Sequence, residues 1–107
     1  MSMGKQIIVT DYSAHTEFCT SDNAMLVPIN ETEPAYDGIW FHGKPNSMGD
    51  IPGWASIGDE QIDVMIEHMR NVHKNKPNVN TEGIKTAERF SWRNTVKTIL
   101  DRLSLGE

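Results

Sequence analysis

The sequence predicts an α/β chain, with two or three short parallel strands at its start and helices after them. Three observations carry this expectation. Residues 6–10 (QIIVT) and 24–29 (AMLVPI) are brief runs of consecutive apolar residues. Runs that do not alternate with polar residues suit strands covered on both faces, as in a parallel sheet. From Asp59 onward the apolar residues recur at helical spacing instead. The chain's 107 residues make one small domain, on the usual scale of roughly 100–200 residues per domain.

The first run lies between Gly4 and Asp11 and is β-branched. After it, Ser13 can cap one or two helical turns, and Glu17 favours such a turn electrostatically. Ser21, Asp22 and Asn23 form a turn sequence. The second run contains Pro28, which cannot donate to a strand ladder, so the strand ends there or lies at an edge. Residues 30–58 hold Pro34, Pro45 and Pro52, five glycines, and the aromatics Tyr36, Trp40, Phe41 and Trp54. Proline and glycine break regular elements, whereas aromatics are unfavourable in water. The stretch therefore reads as a folded excursion that is functional or that covers its own core.

Ile62, Met65, Ile66, Met69, Val72 and His73 share one face of the first helix. Ser56 with Asp59 resembles a capping box, Lys74 and Lys76 suit the helix end, and Pro77 stops it. Thr81 is the expected cap of a second helix running to Arg89, with Ile84 and Ala87 inward and Phe90 at its end. Ser91 caps a third helix, whose apolar stripe is Trp92, Val96, Ile99, Leu100 and Leu103. Trp92 is expected to be buried. Gly106 lies too near the terminus to carry an assignment.

Net charge is −5, unevenly spread. Eleven acids face a single base, Lys44, between residues 11 and 67, and eight bases accompany four acids after residue 67. The acidic half repels phosphates and the basic tail is dilute, so no nucleic-acid partner is expected. The lone cysteine, Cys19, excludes an intramolecular disulfide framework and a zinc ribbon. No apolar run approaches the ~20 residues of a transmembrane helix. No secretory signal opens the chain, and a cytoplasmic, reducing compartment is expected.

Few groupings suggest chemistry. His15, Glu17 and Cys19 alternate, but a zinc site would need a fourth ligand from afar. His15 and Cys19 also have a spacing open to a thiolate pair, against the simpler reading of a partly buried cysteine on a turn. His68 and His73 are five residues apart and do not share a helix face. No nucleophile elbow, Walker loop or dinucleotide fingerprint occurs. The Asn30-Glu31-Thr32 sequon carries little meaning without a secretory signal. Asp59 and Glu60 read as a helix N-terminus. Neither a metal nor a cofactor is expected.

The order of segments resembles the C-terminal domain of GT-B glycosyltransferases, which use nucleotide-sugar donors. Met1, Ser2 and Gly4 are similar to the M-A-x-G end of that family's E-A-M-A-x-G helix. Ile7 and Ile8 resemble its next strand, Ser13 its turn, and Glu17 with Phe18 its Glu-apolar pair. Residues 24–28 look like its L-V-P strand. Gly53-Trp54-Ala55 and the segment from Asp59 to Ile62 resemble a W-A-x-P-D-x-x-x-L segment of bacterial polysaccharide glycosyltransferases. Met69-Arg70 fits that helix's end, and Phe90-Ser91-Trp92 with Val96 resembles the closing F-S-W helix. The likeness spans Met1 to about Leu103. Gln6 departs from the family's proline, and Ile57-Gly58 from its P-D approach.

The resemblance implies a single partial domain over residues 1–107, the end of a Rossmann-like GT-B lobe. The implied parent is a transferase of polysaccharide biosynthesis that moves a hexosyl unit from a nucleotide sugar to a glycan. The family's E-x7-E pair and acceptor domain would lie upstream, its second Glu two residues before Met1. The chain by itself is therefore expected to be inactive, and no catalytic residue is assigned. Gly4, Asp11 and Ser13 are expected at the donor-pocket rim, because ligands in open α/β sheets sit at the carboxyl ends of strands. Turn and cap formation is the other role open to Asp11 and Ser13. Two strands make a poor sheet, so a homodimer of the chain is expected. A freestanding, non-catalytic binding or self-association domain is the alternative reading.

Overall fold

The computed structural model describes residues 1–75 and 78–104. Within them the chain is mixed α/β, with a small parallel sheet and helices. Strands β1 (Ile8–Thr10) and β2 (Met25–Val27) pair in parallel, with Ile8 opposite Met25 and Thr10 opposite Val27. The expected runs are both strands, trimmed to three residues each. β2 ends just before Pro28, which has no N–H to continue the ladder. The link between the strands carries a 3₁₀ turn at Ala14–Glu17.

No third parallel strand occurs among the described residues. The excursion expected to be irregular instead contains β3 (Thr32–Pro34) and β4 (Gly53–Ala55), an antiparallel pair. Pro34 and Gly53 face each other at the end of this ladder. A proline is tolerated there because its missing N–H falls where the pairing stops.

Helix α1 (Asp59–Lys74) packs on β1 and β2. Its start is held by Gln61, whose Oε1 accepts the Gly58 N–H at 3.0 Å, not by the expected Ser56–Asp59 box. It ends at Lys74, whose charge suits the negative end of the helix dipole, with Asn75 as its cap. The expected contributions of Lys76, Pro77 and Gly106 lie outside the described residues.

The sheet-facing side of α1 also differs from the expected one. Gln61 is buried and Val64, Met65, His68 and Val72 are half-buried, while Ile62, Ile66 and Met69 are exposed. The cause is polar. Gln61 Nε2 donates to the Pro28 carbonyl at 3.2 Å, and His68 Nε2 donates to the Leu26 carbonyl at 2.9 Å. Serving the backbone of β2 turns these two side chains inward and leaves the aliphatic stripe outside.

Helix α2 (Thr81–Arg89) starts from Asn80, whose Oδ1 accepts the Gly83 N–H at 2.8 Å. Thr81, the expected cap, is the first helical residue. Ile84 and Ala87 are half-buried, as expected. Ser91 precedes helix α3 (Trp92–Ser104), and its carbonyl accepts from Thr95 N–H at 3.0 Å. The burial expected for Trp92 does not occur. Trp92 is 85% exposed, and Val96, Ile99, Leu100 and Leu103 are exposed with it. Helical periodicity placed the stripe correctly, but no element among the described residues covers it.

The apolar core is accordingly slight. Among the described residues only Cys19, Val27 and Ala35 are buried hydrophobics, beside the buried polar side chains of Asn23, Gln61 and Asn80. Every buried side-chain polar atom among the described residues has a hydrogen-bond partner. The radius of gyration is 18.2 Å, against about 13 Å for a compact domain of this length. The accessible surface is 8596 Å², about 2,600 Å² above the area expected for a compact monomer of this mass.

Candidate functional site

The carboxyl ends of β1 and β2 open toward the start of α1. Asp11 follows β1 directly. Its N–H donates to the Val27 carbonyl at 2.8 Å, and its side chain is exposed. Tyr12 reaches across to the second sheet, donating from its hydroxyl to the Gly53 carbonyl at 2.7 Å. Ser13 has φ 72° and ψ −162°, a region occupied almost only by glycine and unfavourable by about 1–3 kcal/mol. Its side chain makes no cap hydrogen bond, contrary to the capping expected of it. Its carbonyl instead accepts from both the backbone N–H and the hydroxyl of Thr16. Ser13 is exposed, two residues beyond Asp11 in the chain.

At the start of α1, Asn30, Glu31, Asp59 and Glu60 line a cleft of about 280 Å³. Asn30 Nδ2 donates to Glu60 Oε2 at 3.2 Å. Asp59 and Glu60 complement the positive N-terminal end of α1. Asp11, Glu31, Asp59 and Glu60 repel a diphosphate, but their oxygens accept hydrogen bonds from hydroxyl groups.

Gly4 is not brought to this mouth. It lies four residues before Ile8, at the amino end of β1, while Asp11 lies beyond its carboxyl end. Gly4 is buried with φ 65°, and a Cβ on it would meet Val79 Cγ1 at 2.9 Å and Ile84 Cδ1 at 3.3 Å. Its carbonyl accepts the Asn80 N–H at 2.8 Å. A left-handed backbone packed this closely requires glycine, which accounts for Gly4 structurally.

His15 and Cys19 form no reactive pair. His15 Nε2 donates to the Thr10 carbonyl. Cys19 is buried, and that burial pushes its thiol pKa up, away from the reactive thiolate.

A second concave region lies between β3 and β4. Tyr36 and His42 form an antiparallel bridge, and the turn joining them is built on Asp37. Asp37 Oδ1 accepts the N–H groups of Ile39, Trp40 and Phe41 at 2.8, 2.8 and 2.9 Å. These bonds, led by Phe41 and Ile39, hold its carboxyl pKa below the usual range. Asn46 organises the next turn, its Oδ1 accepting from Met48 and Asp50 N–H. Phe41 meets Trp54 edge-to-face, with ring centroids 6.3 Å apart. Tyr36 and Trp40 remain outside, 65% and 83% exposed.

Sequence reasoning singled out the aromatics of this region but missed its organiser. The available signal was Asp37-Gly38, a turn dipeptide whose side-chain oxygen readily satisfies following N–H groups. Asn80 was missed for a different reason. Its partners, the Lys5 and Asn23 carbonyls, lie 75 and 57 residues away in sequence. No protein-family model matches the chain, and neither a curated protein nor a solved structure matches it.

Proposed function

We propose that the chain is the C-terminal part of a nucleotide-sugar-dependent glycosyltransferase of the GT-B class, a Rossmann-like piece that is inactive alone. The observation that carries the proposal is the uncovered apolar surface on two helices. Ile62, Ile66 and Met69 of α1 and the stripe of α3 face outward together with about 2,600 Å² of excess area. An ordinary interface covers only about 800 Å² per partner. An excess of this size suits built-in contact with the rest of a larger fold.

Three features support the same reading. The parallel β1–β2 pair is covered by α1 on one face, as in half of a doubly wound sheet. Among the described residues β1 has β2 as its single strand neighbour, and its outer edge meets one side chain, His15, at the Thr10 carbonyl, leaving Ile8 open to an upstream strand. The strained Ser13 sits with Asp11 at the carboxyl end of β1, where ligands of such sheets bind. In the parent reaction a hexosyl group passes from the nucleotide diphosphate to a glycan hydroxyl. Asp11 accepts a hydrogen bond from a donor hydroxyl, and Ser13 donates or accepts a second. Stabilising the departing diphosphate falls to basic groups outside this chain, since the acids at this mouth oppose it.

A freestanding self-association domain is the second reading, favoured by the exposed α3 stripe. Reading the DNA upstream of the Met1 codon decides between them. An open frame running into Glu-Ala immediately before Met1 is the expected result. An in-frame stop codon followed by a ribosome-binding site overturns the glycosyltransferase reading and leaves the second.

A further inference from the structure

We infer that the aromatic cleft between β3 and β4 is a glycan-binding platform, with Trp40 and Tyr36 as stacking faces. The cleft measures about 550 Å³, within the range of small-ligand sites, roughly 300–1,000 Å³. Tyr36, Trp40 and Phe41 line it with His42, Lys44 and Asn46. No leucine, isoleucine, valine or methionine appears among its described lining residues.

That composition separates a sugar from an amphipathic helix. A groove that docks an amphipathic helix is shaped for aliphatic anchors. A sugar ring instead offers a face of polarised C–H bonds edged by hydroxyls. The C–H face matches the electron-rich face of an aromatic ring, and the hydroxyls match flanking donors and acceptors. Lys44 and His42 donate to sugar oxygens, and Asn46 has an amide nitrogen for the same purpose, its Oδ1 being occupied by its own turn.

The platform is also ordered before any ligand arrives. Asp37 bonds three successive N–H groups, and the Phe41–Trp54 contact ties the turn to β4. Large flat side chains on a fixed backbone lose little entropy on binding. The energetic reason for holding two aromatic rings in water is a ligand that covers them. The choice of a glycan as that ligand rests on the proposed glycosyltransferase reading. The cleft is separate from the Asp11–Ser13 mouth and would hold an acceptor-side or product glycan, not the donor.

The test is an NMR titration of the 15N-labelled 107-residue chain with neutral hexasaccharides of α-glucan, β-glucan and α-mannan. The expected result is a shift of the Trp40 indole N–H with at least one of them, while the Trp92 indole stays fixed. Trp40→Ala should weaken binding by about tenfold or more, as loss of a central aromatic contact does. Tyr36→Ala should weaken it less, and Trp92→Ala should leave it unchanged. Both tryptophans are highly exposed, so neither substitution threatens the fold. No shift at Trp40 with any of the three sugars overturns the proposal. So does equal weakening by Trp40→Ala and Trp92→Ala, or a Trp40 shift that follows protein concentration and not sugar. A stop codon before Met1 overturns the enzyme reading but leaves this measurement standing.

Discussion

The corner where Gly4, Asn23 and Asn80 meet and the helix α3 are held by opposite means. The corner packs Gly4 against Val79 and Ile84 and is fixed by hydrogen bonds. Asn80 Nδ2 donates to the Asn23 carbonyl at 2.7 Å and the Lys5 carbonyl at 3.2 Å. Asn23 Nδ2 in turn donates to the Phe18 carbonyl at 2.7 Å and Thr86 Oγ1 at 2.9 Å. α3 has an apolar stripe, regular backbone bonding and no cover. The corner joins three distant segments with two amide side chains, while α3 is tied only to the neighbouring end of α2 among the described residues, by Asn94 Nδ2 donating to the Glu88 and Arg89 carbonyls. Helicity is thus decided locally by sequence, and burial is not.

The sharpest way to break the contrast is Asn80→Ala. It removes the α2 cap, worth about 1 kcal/mol, and leaves the Asn23 carbonyl buried and unpaired at about 1–3 kcal/mol, with a smaller loss at the part-buried Lys5 carbonyl. A loss of about 3 kcal/mol or more in urea unfolding is expected, enough to erase cooperative unfolding in a small domain. Gly4→Ala comes next. A left-handed backbone disfavours any Cβ by about 1–2 kcal/mol, and contact with Val79 adds to this. Thermal unfolding should report the drop.

On the other side of the comparison, Trp92→Ala should change the stability of the monomer by less than about 0.5 kcal/mol, because an exposed side chain has little to lose. Its effect should appear in assembly. Sedimentation equilibrium across micromolar concentrations is expected to show a dimer for the parent chain and weaker association for the variant. A single monomeric species at every concentration for the parent would remove the homodimer.

The smallest effect belongs to Asp37. Its lowered pKa means that the carboxylate's hold on the turn is complete above the usual carboxylate range. It is lost as pH falls through the lowered value. Amide exchange at Ile39, Trp40 and Phe41 should quicken in acid relative to its pH-corrected rate, with the global unfolding midpoint little changed.

These contrasts also explain what could be read from sequence. The strand pair, the span of α2 and the α3 stripe follow from local runs and periodicity, and all are present. The orientation of α1 was not legible, because Gln61 and His68 look like surface residues until β2 gives them carbonyls to serve. β3 and β4 were hidden by Pro34 and Gly53, residues that weaken a strand pattern. Trp92 was misplaced because periodicity identifies which face is apolar, not whether anything faces it. At the candidate mouth, Asp11 and Ser13 were recognisable from their position after a parallel strand. Gly4 precedes the apolar run in sequence, which already puts it at the amino end of β1, away from the rim it was assigned to.

The ring of His68 bears on assembly as well as on packing. By donating to Leu26 it plugs the outer side of β2, as a charged or covered edge does in other sheets. β1 carries the matching plug on the side where Ile8 and Thr10 alternate away from β2, because the Thr10 carbonyl there accepts from His15 Nε2. A stack of sheets propagates only if every subunit offers two competent edges. Here each edge has a histidine on one of its outward carbonyls, Leu26 and Thr10, so both sides of the sheet are blunted against strand addition and self-association falls to the exposed α3 stripe.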